Sequence, residues 1–146
     1  MRATIERAIL FEMRALEVVA KKPRVLVVDD FDDVREMYVD YLRYLGFDAD
    51  GAANGREAVR KTLAHRQSLV VMDLAMPVLD GWEATRILRA DRRTRDIPIV
   101  VLTGHALPEH VQRAKDAGAN EVIEKPCEPA ALGRIVVQTL AAARKH

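Results

Sequence analysis

The sequence predicts an α/β domain in which one five-stranded parallel sheet lies between layers of helices. Four short apolar runs, rich in β-branched residues, occur at positions 25–28, 69–72, 97–102 and 122–123. Such runs are typical of strands that are buried on both faces. Segments with helical periodicity separate them, and strands that alternate with helices form parallel sheets through right-handed crossovers. We therefore expect a three-layer sandwich.

The first half of the expected domain contains one strong strand, one weak strand and two helices. A helix with an apolar face over residues 34–45 follows the first strand and ends at Gly46, a common residue just past a helix. Residues 47–50 form a weak second strand, which we expect at or near a sheet edge. The turn signal Asn54–Gly55 then leads into a helix over residues 56–64.

Three further helices complete the five that are expected to flank the sheet. Asp80–Gly81 turns the chain into a helix that runs to about Ala90. Pro108 suits the first turn of the next helix, which ends near Gly118. Glu128–Pro129 opens the last helix.

An additional amphipathic helix is predicted at the N-terminus, over residues 1–22. Its apolar positions recur at helical spacing, and Pro23 ends it; they are Ile5, Ile9, Met13, Leu16 and Ala20. This helix either packs against a second copy of the chain, giving a homodimer, or packs against the domain's own surface, or frays. We therefore divide the chain into residues 1–22 and a domain over residues 23–146.

Composition argues against several classes of protein. With 146 residues, 49% of them apolar, the chain can form one domain with a real core. A net charge of +1 argues against a protein that mainly coats nucleic acid or anionic membrane. A single cysteine, Cys127, gives no internal disulfide, and no apolar run approaches the roughly 20 residues of a membrane span. A cytoplasmic protein is expected.

Five residues with reactive side chains stand directly behind the predicted strands. Asp29 and Asp30 follow the first strand, Asp73 the third and Thr103 the fourth, and Lys125 comes just after the last short run. The carboxyl ends of parallel strands share one edge, where ligands bind, so these residues should converge. Three carboxylates in one crevice repel each other, and Mg²⁺, which prefers oxygen ligands, relieves that repulsion. The alternative for Asp29 and Asp30 is capping of the next helix.

This arrangement is typical of phosphoryl chemistry. A carboxylate such as Asp73, next to Mg²⁺, can act as a nucleophile toward phosphorus. The metal and Lys125 would neutralise charge on the phosphoryl group, and the Thr103 hydroxyl could bind one of its oxygens.

From about Arg24 to its end, the chain resembles the response-regulator receiver domains of two-component signalling. The similarity covers about five sixths of the sequence, in the order and spacing of the family, and it is carried by residues 25–30, 54–58, 73–81, 103–104 and 117–120 and by Lys125–Pro126. It implies a flavodoxin-like fold and a signalling switch rather than an enzyme with a separate substrate.

The resemblance also implies residue roles. Asp73 would be the phosphoacceptor, supplied by a histidine kinase or a histidine phosphotransfer protein. Asp30, Asp73 and the main-chain carbonyl of Ala75 would hold Mg²⁺, and Asp29 would support it through water. Thr103 and Lys125 would bind phosphoryl oxygens, and the Lys125–Pro126 peptide would be cis, which is uncommon enough to be a specific expectation.

Two residues depart from the family pattern. Val122 stands where the family usually has Phe or Tyr, so the usual inward rotation of a ring cannot report phosphorylation. Ala75 offers no side chain to steer an attacking water. Because the chain ends soon after the last helix, we expect a stand-alone receiver without direct DNA binding, which signals to a downstream effector through protein contacts.

Two other functions and several weaker signals stay open at this point. A haloacid-dehalogenase-type phosphatase would need a second Asp at the position of Ala75. A receiver-like module could instead work without phosphorylation, with the N-terminal helix driving dimerisation. Weaker signals are an arginine cluster between residues 86 and 95, His105 near the crevice, the thiol of Cys127, and Trp82, a packing residue that could report on the site.

Overall fold

The computed structural model describes residues 2–19, 22–104 and 106–144, and for residues 12–19 it describes the backbone alone. The strands are β1 (Arg24–Val28), β2 (Asp48–Ala52), β3 (Leu69–Met72), β4 (Ile99–Thr103) and β5 (Glu121–Glu124). The helices are α1 (Arg2–Val19), α2 (Asp32–Tyr44), α3 (Gly55–Ala64), α4 (Gly81–Ala90), α5 (Pro108–Ala117) and α6 (Pro129–Arg144).

All strand pairs in the sheet are parallel, and the spatial order is β2-β1-β3-β4-β5. The order reverses direction between β1 and β3, and ligands bind at such a switch point in open α/β sheets. In the register, Val28 pairs with Met72, and Met72 pairs with Val101. The residues that follow β1 and β3 are therefore neighbours at the carboxyl edge.

The core has two halves because successive side chains of a strand point to opposite faces. Val25 and Val27 pack on one side with residues of α2 and α6. Leu26 and Val28 pack on the other side with residues of α3, α4 and α5. The three-layer sandwich expected from the alternating pattern is confirmed, with the strongly apolar β1, β3 and β4 at its centre.

Glycines end two helices where the sequence placed them. Gly46 follows α2 with φ 102° and Gly118 follows α5 with φ 116°. This left-handed backbone conformation is costly for residues with a Cβ atom. The second strand lies at the sheet edge as expected, but it covers Asp48–Ala52 rather than residues 47–50.

The additional helix α1 packs against the domain itself. Ile9 is only 2% exposed and belongs to the core half shared with α2 and α6, and Ile5 packs beside it. The side chains of Met13 and Leu16, and Ala20 as a whole, lie outside the described residues. Homodimerisation through this helix and the division of the chain after residue 22 stay predictions.

Within the described part of the chain, no helix is long and apolar enough to cross a membrane.

Candidate functional site

The three predicted carboxylates converge at the carboxyl edge of the sheet. Asp29 and Asp30 follow β1 and Asp73 follows β3, and one carboxylate oxygen from each lies within 4.8 Å of the others. Asp29 and Asp73 are buried, and Asp30 is partly buried. The cluster is built by strand register, because the acids come within two residues of the ends of two paired strands.

Lys125 reaches this cluster from the loop after β5. Its Nζ lies 2.7 Å from Asp29 Oδ2 and 3.7 Å from Asp73 Oδ2. The other Asp29 oxygen accepts a hydrogen bond of 2.9 Å from the Phe31 backbone N–H. Asp29 is thus the direct ionic partner of Lys125, and it also orders the backbone that enters α2.

Burial changes the acidity of Asp73, which is 7% exposed. Removal of the carboxylate from water raises its pKa to about 6, against the lowering effect of the nearby Lys125 ammonium. The charges of Asp29 and Asp30 add to the rise, and a 2.8 Å hydrogen bond from the Leu74 backbone N–H opposes it. The group is therefore poised between its neutral and ionised forms just below neutral pH.

Thr103 and Lys125 are joined through the backbone. Thr103 is the last residue of β4 and is fully buried. The Thr103 carbonyl accepts a 2.8 Å hydrogen bond from the Lys125 N–H. The Lys125–Pro126 peptide bond is cis, as the resemblance implies. All five predicted site side chains therefore belong to one edge of the sheet.

Gly81 allows α4 to begin beside the site. A Cβ atom at this position would lie 2.0 Å from the Asp73 carbonyl oxygen, closer than any real contact. The Gly81 N–H donates to the Leu74 carbonyl at 2.9 Å, and the Asp80 side chain caps α4 through the Glu83 N–H. The helix start thus fixes the backbone at the Asp73 carbonyl and at Leu74.

The donor set fits a hard divalent cation. Asp30 Oδ1 is buried and has no hydrogen-bond partner among the described residues, although buried carboxylate oxygens are normally satisfied. Together with the oxygens of Asp29 and Asp73 it offers an all-oxygen environment, which suits Mg²⁺. Ala75 lies two residues past Asp73, in the loop between β3 and α4, and the role of its backbone carbonyl stays a prediction.

Other residues noted in the sequence lie around this edge or behind it. Val122 is half-buried against the core half that contains α4 and α5. Trp82 lies between helices, where its indole meets the His110 ring edge-on and Arg113 lies 4.5 Å above it. The half-buried Cys127 has a pKa raised by burial, which disfavours a reactive thiolate. His105 lies outside the described residues.

The arginine cluster is not one outward-facing surface. Arg89 is half-buried, and its guanidinium donates to the carbonyls of Ile97 and Gly118 and to the Asn120 side chain at 2.6–2.9 Å. Arg86 and Arg93 are exposed and form ion pairs with nearby acids. Arg89 therefore holds the end of α4 against the loop before β5.

From the sequence, Tyr38 is only one position on the apolar face of the helix predicted over residues 34–45. In the structure its hydroxyl donates a 2.6 Å hydrogen bond to the Cys127 carbonyl, 89 residues away. The sequence signal for this contact is a tyrosine on a helix face that is otherwise mostly apolar, because a buried Tyr hydroxyl generally needs a hydrogen-bond partner.

Comparison with known proteins agrees with this geometry. The family model described as response regulator receiver domain matches residues 25–137. The chain is 38% identical over 104 residues to the transcriptional regulatory protein PrrA of Mycobacterium tuberculosis, which covers 71% of this chain and 44% of PrrA. The chain thus spans less than half the length of that relative.

Solved structures give the same result. The chemotaxis response regulator CheY4 of Vibrio cholerae aligns with a TM-score of 0.77 and 32% identity, covering 82% of this chain and 99% of CheY4. The receiver domain of a sensor histidine kinase from Pseudomonas aeruginosa, which has magnesium coordinated in its active-site cleft, aligns with a TM-score of 0.76 and 34% identity, covering 82% of this chain and 98% of that domain.

Receiver domains are signalling switches that bind Mg²⁺ in the active site and partner with histidine kinases and effectors. The family match extends over most of the sequence, and the fold has the strand order and acidic edge that such a switch requires. The chain belongs to the response regulator receiver domain family of two-component systems.

Proposed function

We propose that this chain accepts a phosphoryl group on Asp73 from a histidine kinase or a histidine phosphotransfer protein, and that the reaction depends on Mg²⁺. The observation that carries the proposal is the placement of Asp73, a buried carboxylate beside the acids that follow β1 and 3.7 Å from the Lys125 ammonium. A buried acid with a purely structural role would not be expected beside two further carboxylates and an ammonium group.

In this proposal, Asp29, Asp30, Asp73 and the backbone carbonyl of Ala75 hold the magnesium ion. The buried, unpartnered oxygen of Asp30 and the close approach of the three carboxylates support this assignment. When bound, the ion neutralises charge on the phosphoryl group and on the carboxylates. Asp29 would support the ion through water, and its other contact is the Lys125 ammonium at 2.7 Å.

The chemical step is a transfer between two proteins. An Asp73 carboxylate oxygen forms a bond to phosphorus, the donor's phosphorus–nitrogen bond breaks, and the electron pair leaves with the imidazole nitrogen. Lys125 compensates the charge of the phosphoryl oxygens, and the Thr103 hydroxyl binds one of them. The donor and the metal need the ionised form of Asp73, and burial raises the pKa of this carboxyl to about 6 in the metal-free chain.

Output, in the same proposal, passes through protein contacts with a downstream effector, without direct binding to DNA or membrane. The product is a modified Asp73, so the chain acts as a switch and catalyses only its own phosphorylation and dephosphorylation. A cytoplasmic location suits partners of this kind.

Labelling with a small phosphodonor tests the proposal. With Mg²⁺, the wild-type chain should gain one phosphoryl group, whereas Asp73→Asn should gain none and EDTA should prevent labelling of the wild type. Asp80→Asn is the matched control, because Asp80 caps α4 nearby and keeps most of its capping ability as Asn. Labelling of Asp73→Asn at the wild-type level would remove Asp73 from this role.

Two observations favour a second function. Val122 has no aromatic ring that could rotate inward on phosphorylation. Helix α1 is an addition to the domain, on which it packs through the buried Ile9. A module that binds partners or dimerises regardless of phosphorylation would have both features. A beryllofluoride mimic that leaves oligomer size and partner affinity unchanged, although it binds the site, would support this second function.

A further inference from the structure

The loop that carries Lys125 is held at two points on either side of its cis peptide. On the strand side, the Lys125 N–H donates to the Thr103 carbonyl at 2.8 Å. On the helix side, the Cys127 carbonyl accepts the Tyr38 hydroxyl at 2.6 Å. The loop between β5 and α6 is only four residues long, Lys125–Glu128. Movement of Cys127 must therefore be transmitted to Lys125.

Tyr38 is a rigid anchor for this loop. The residue is 3% exposed and lies on α2 within the core half that includes Leu132 and Val136 of α6. A ring packed on all sides has little freedom, so its hydroxyl has a defined position. Burial raises the pKa of Tyr38 to about 12, and the Asp29 charge contributes, so the phenol keeps its proton at any pH at which the site works.

The helix that carries Tyr38 also positions the acids. α2 begins at Asp32, two residues after Asp30, and the Arg35 side chain on the same helix donates to the Asp29 carbonyl at 2.8 Å. The same helix thus holds the acid pair through Arg35 and the lysine loop through Tyr38.

We propose that Tyr38 is a positioning residue for the phosphoryl transfer: its hydroxyl holds the backbone of Cys127 so that the Lys125 ammonium lies over the carboxylate cluster. Tyr38 does not touch the phosphoryl group; it acts through Lys125. The inference rests on the proposed function of Asp73, and it adds a residue that contributes to the geometry of the site.

The first test is a pair of matched Tyr→Phe variants on α2. Tyr38→Phe removes only the anchoring hydroxyl and should slow labelling by a small phosphodonor, at saturating Mg²⁺, by about threefold to tenfold, the effect of one lost hydrogen bond. Tyr41→Phe makes the same change one turn later, where the hydroxyl has no hydrogen-bond partner among the described residues. It should label at the wild-type rate. All rates are measured well below each variant's unfolding temperature, so that unfolded chains do not contribute.

The second test separates positioning from a general structural role. If Tyr38 acts through Lys125, then Tyr38→Phe should cause no further loss in a Lys125→Met background, whereas a structural effect would lower the rate equally in both backgrounds. Equal losses in the two backgrounds, a Tyr38→Phe rate equal to wild type, or an equally slow Tyr41→Phe would each overturn the inference while wild-type labelling stands. Failure of the wild type to label at Asp73 would instead overturn the proposed function, and the inference with it.

Discussion

The ammonium of Lys125 lies 2.7 Å from Asp29 Oδ2, nearer than it lies to Asp73, the proposed phosphoacceptor. In this arrangement the lysine neutralises the most buried acid of the cluster, and it also lowers the pKa of Asp73 against the larger effect of burial. The Lys125 ammonium therefore stabilises the metal-free site, in addition to its part in the proposed chemistry.

Replacement of Lys125 should therefore destabilise the metal-free protein. Lys125→Met leaves buried carboxylates without a counter-charge, and we expect a loss of about 2 kcal/mol in the free energy of unfolding by urea at neutral pH in EDTA. Lys115→Met, on the exposed side of α5, is the matched control and should change little. Equal stability of the two variants would show that the Lys125 contacts contribute nothing.

Asp73 should make the metal-free protein more stable in mild acid. Folding raises the pKa of Asp73 from 3.8 to about 6, so the folded state binds this proton more tightly than the unfolded state. The contribution is fully present below about pH 4 and is lost as the pH rises through about 6. With allowance for partial solvent screening of the carboxylate, we expect about 1 kcal/mol.

The measurement is urea unfolding in EDTA across this pH range, for the wild type and for Asp73→Asn. The difference between the two proteins should grow as the pH rises, with Asp73→Asn relatively more stable at neutral pH. Parallel pH profiles would mean that Asp73 titrates in the folded chain as it does in the unfolded chain.

Val78 adopts an unfavourable backbone conformation in the loop between Asp73 and α4. Its φ is 72°, and the Leu79 N–H donates to the Pro77 carbonyl at 2.8 Å, which closes a γ-turn around it. A β-branched residue is strained at positive φ, and Val78 is exposed, so its side chain offers little burial in return.

Val78→Gly should therefore stabilise the protein by about 1 kcal/mol in thermal or urea unfolding. Val78→Ala keeps the Cβ atom and serves as the control, with a smaller gain expected. A loss of stability in Val78→Gly would indicate that the side chain, rather than the backbone, decides the energy of this turn.

Arg89 should be a stability residue rather than a docking residue. Arg89→Met removes hydrogen bonds to Ile97, Gly118 and Asn120, and a loss of about 2 kcal/mol in unfolding free energy is expected, because the part-buried hydrogen bonds to the Ile97 and Gly118 carbonyls are lost. Arg86→Met is the control on the same helix, where an exposed ion pair with Glu83 contributes little. Similar stability of both variants would show that the hydrogen bonds of Arg89 do not stabilise the fold.

The sequence predicted the sheet and the acidic edge for one physical reason: strand ends in a parallel sheet meet along a line, whatever their separation in the chain. The apolar runs before Asp29, Asp73 and Thr103 therefore located the site as well as the strands. The end of β2 lies two residues beyond its predicted position, because Asp48 and Asp50 on an exposed edge give no apolar signal.

What the sequence did not predict depends on side-chain contacts between distant elements. Burial of Arg89 results from the packing of α4 beside Gly118, whose lack of a side chain leaves room for the guanidinium stem. The positive φ of Val78 could not be predicted from the sequence, because valine is among the residues least expected to adopt a positive φ. The Tyr38–Cys127 hydrogen bond joins two segments that no local pattern relates.

A calorimetric titration with Mg²⁺ tests the central claim most directly. The wild-type chain should bind one ion and unfold at a higher temperature when saturated, because the ion binds only the assembled cluster. Asp30→Asn should bind the ion much more weakly while remaining folded. If the wild type gives no heat and no thermal shift, or if Asp30→Asn binds equally well, the three carboxylates do not form a magnesium site and the account of this edge is wrong.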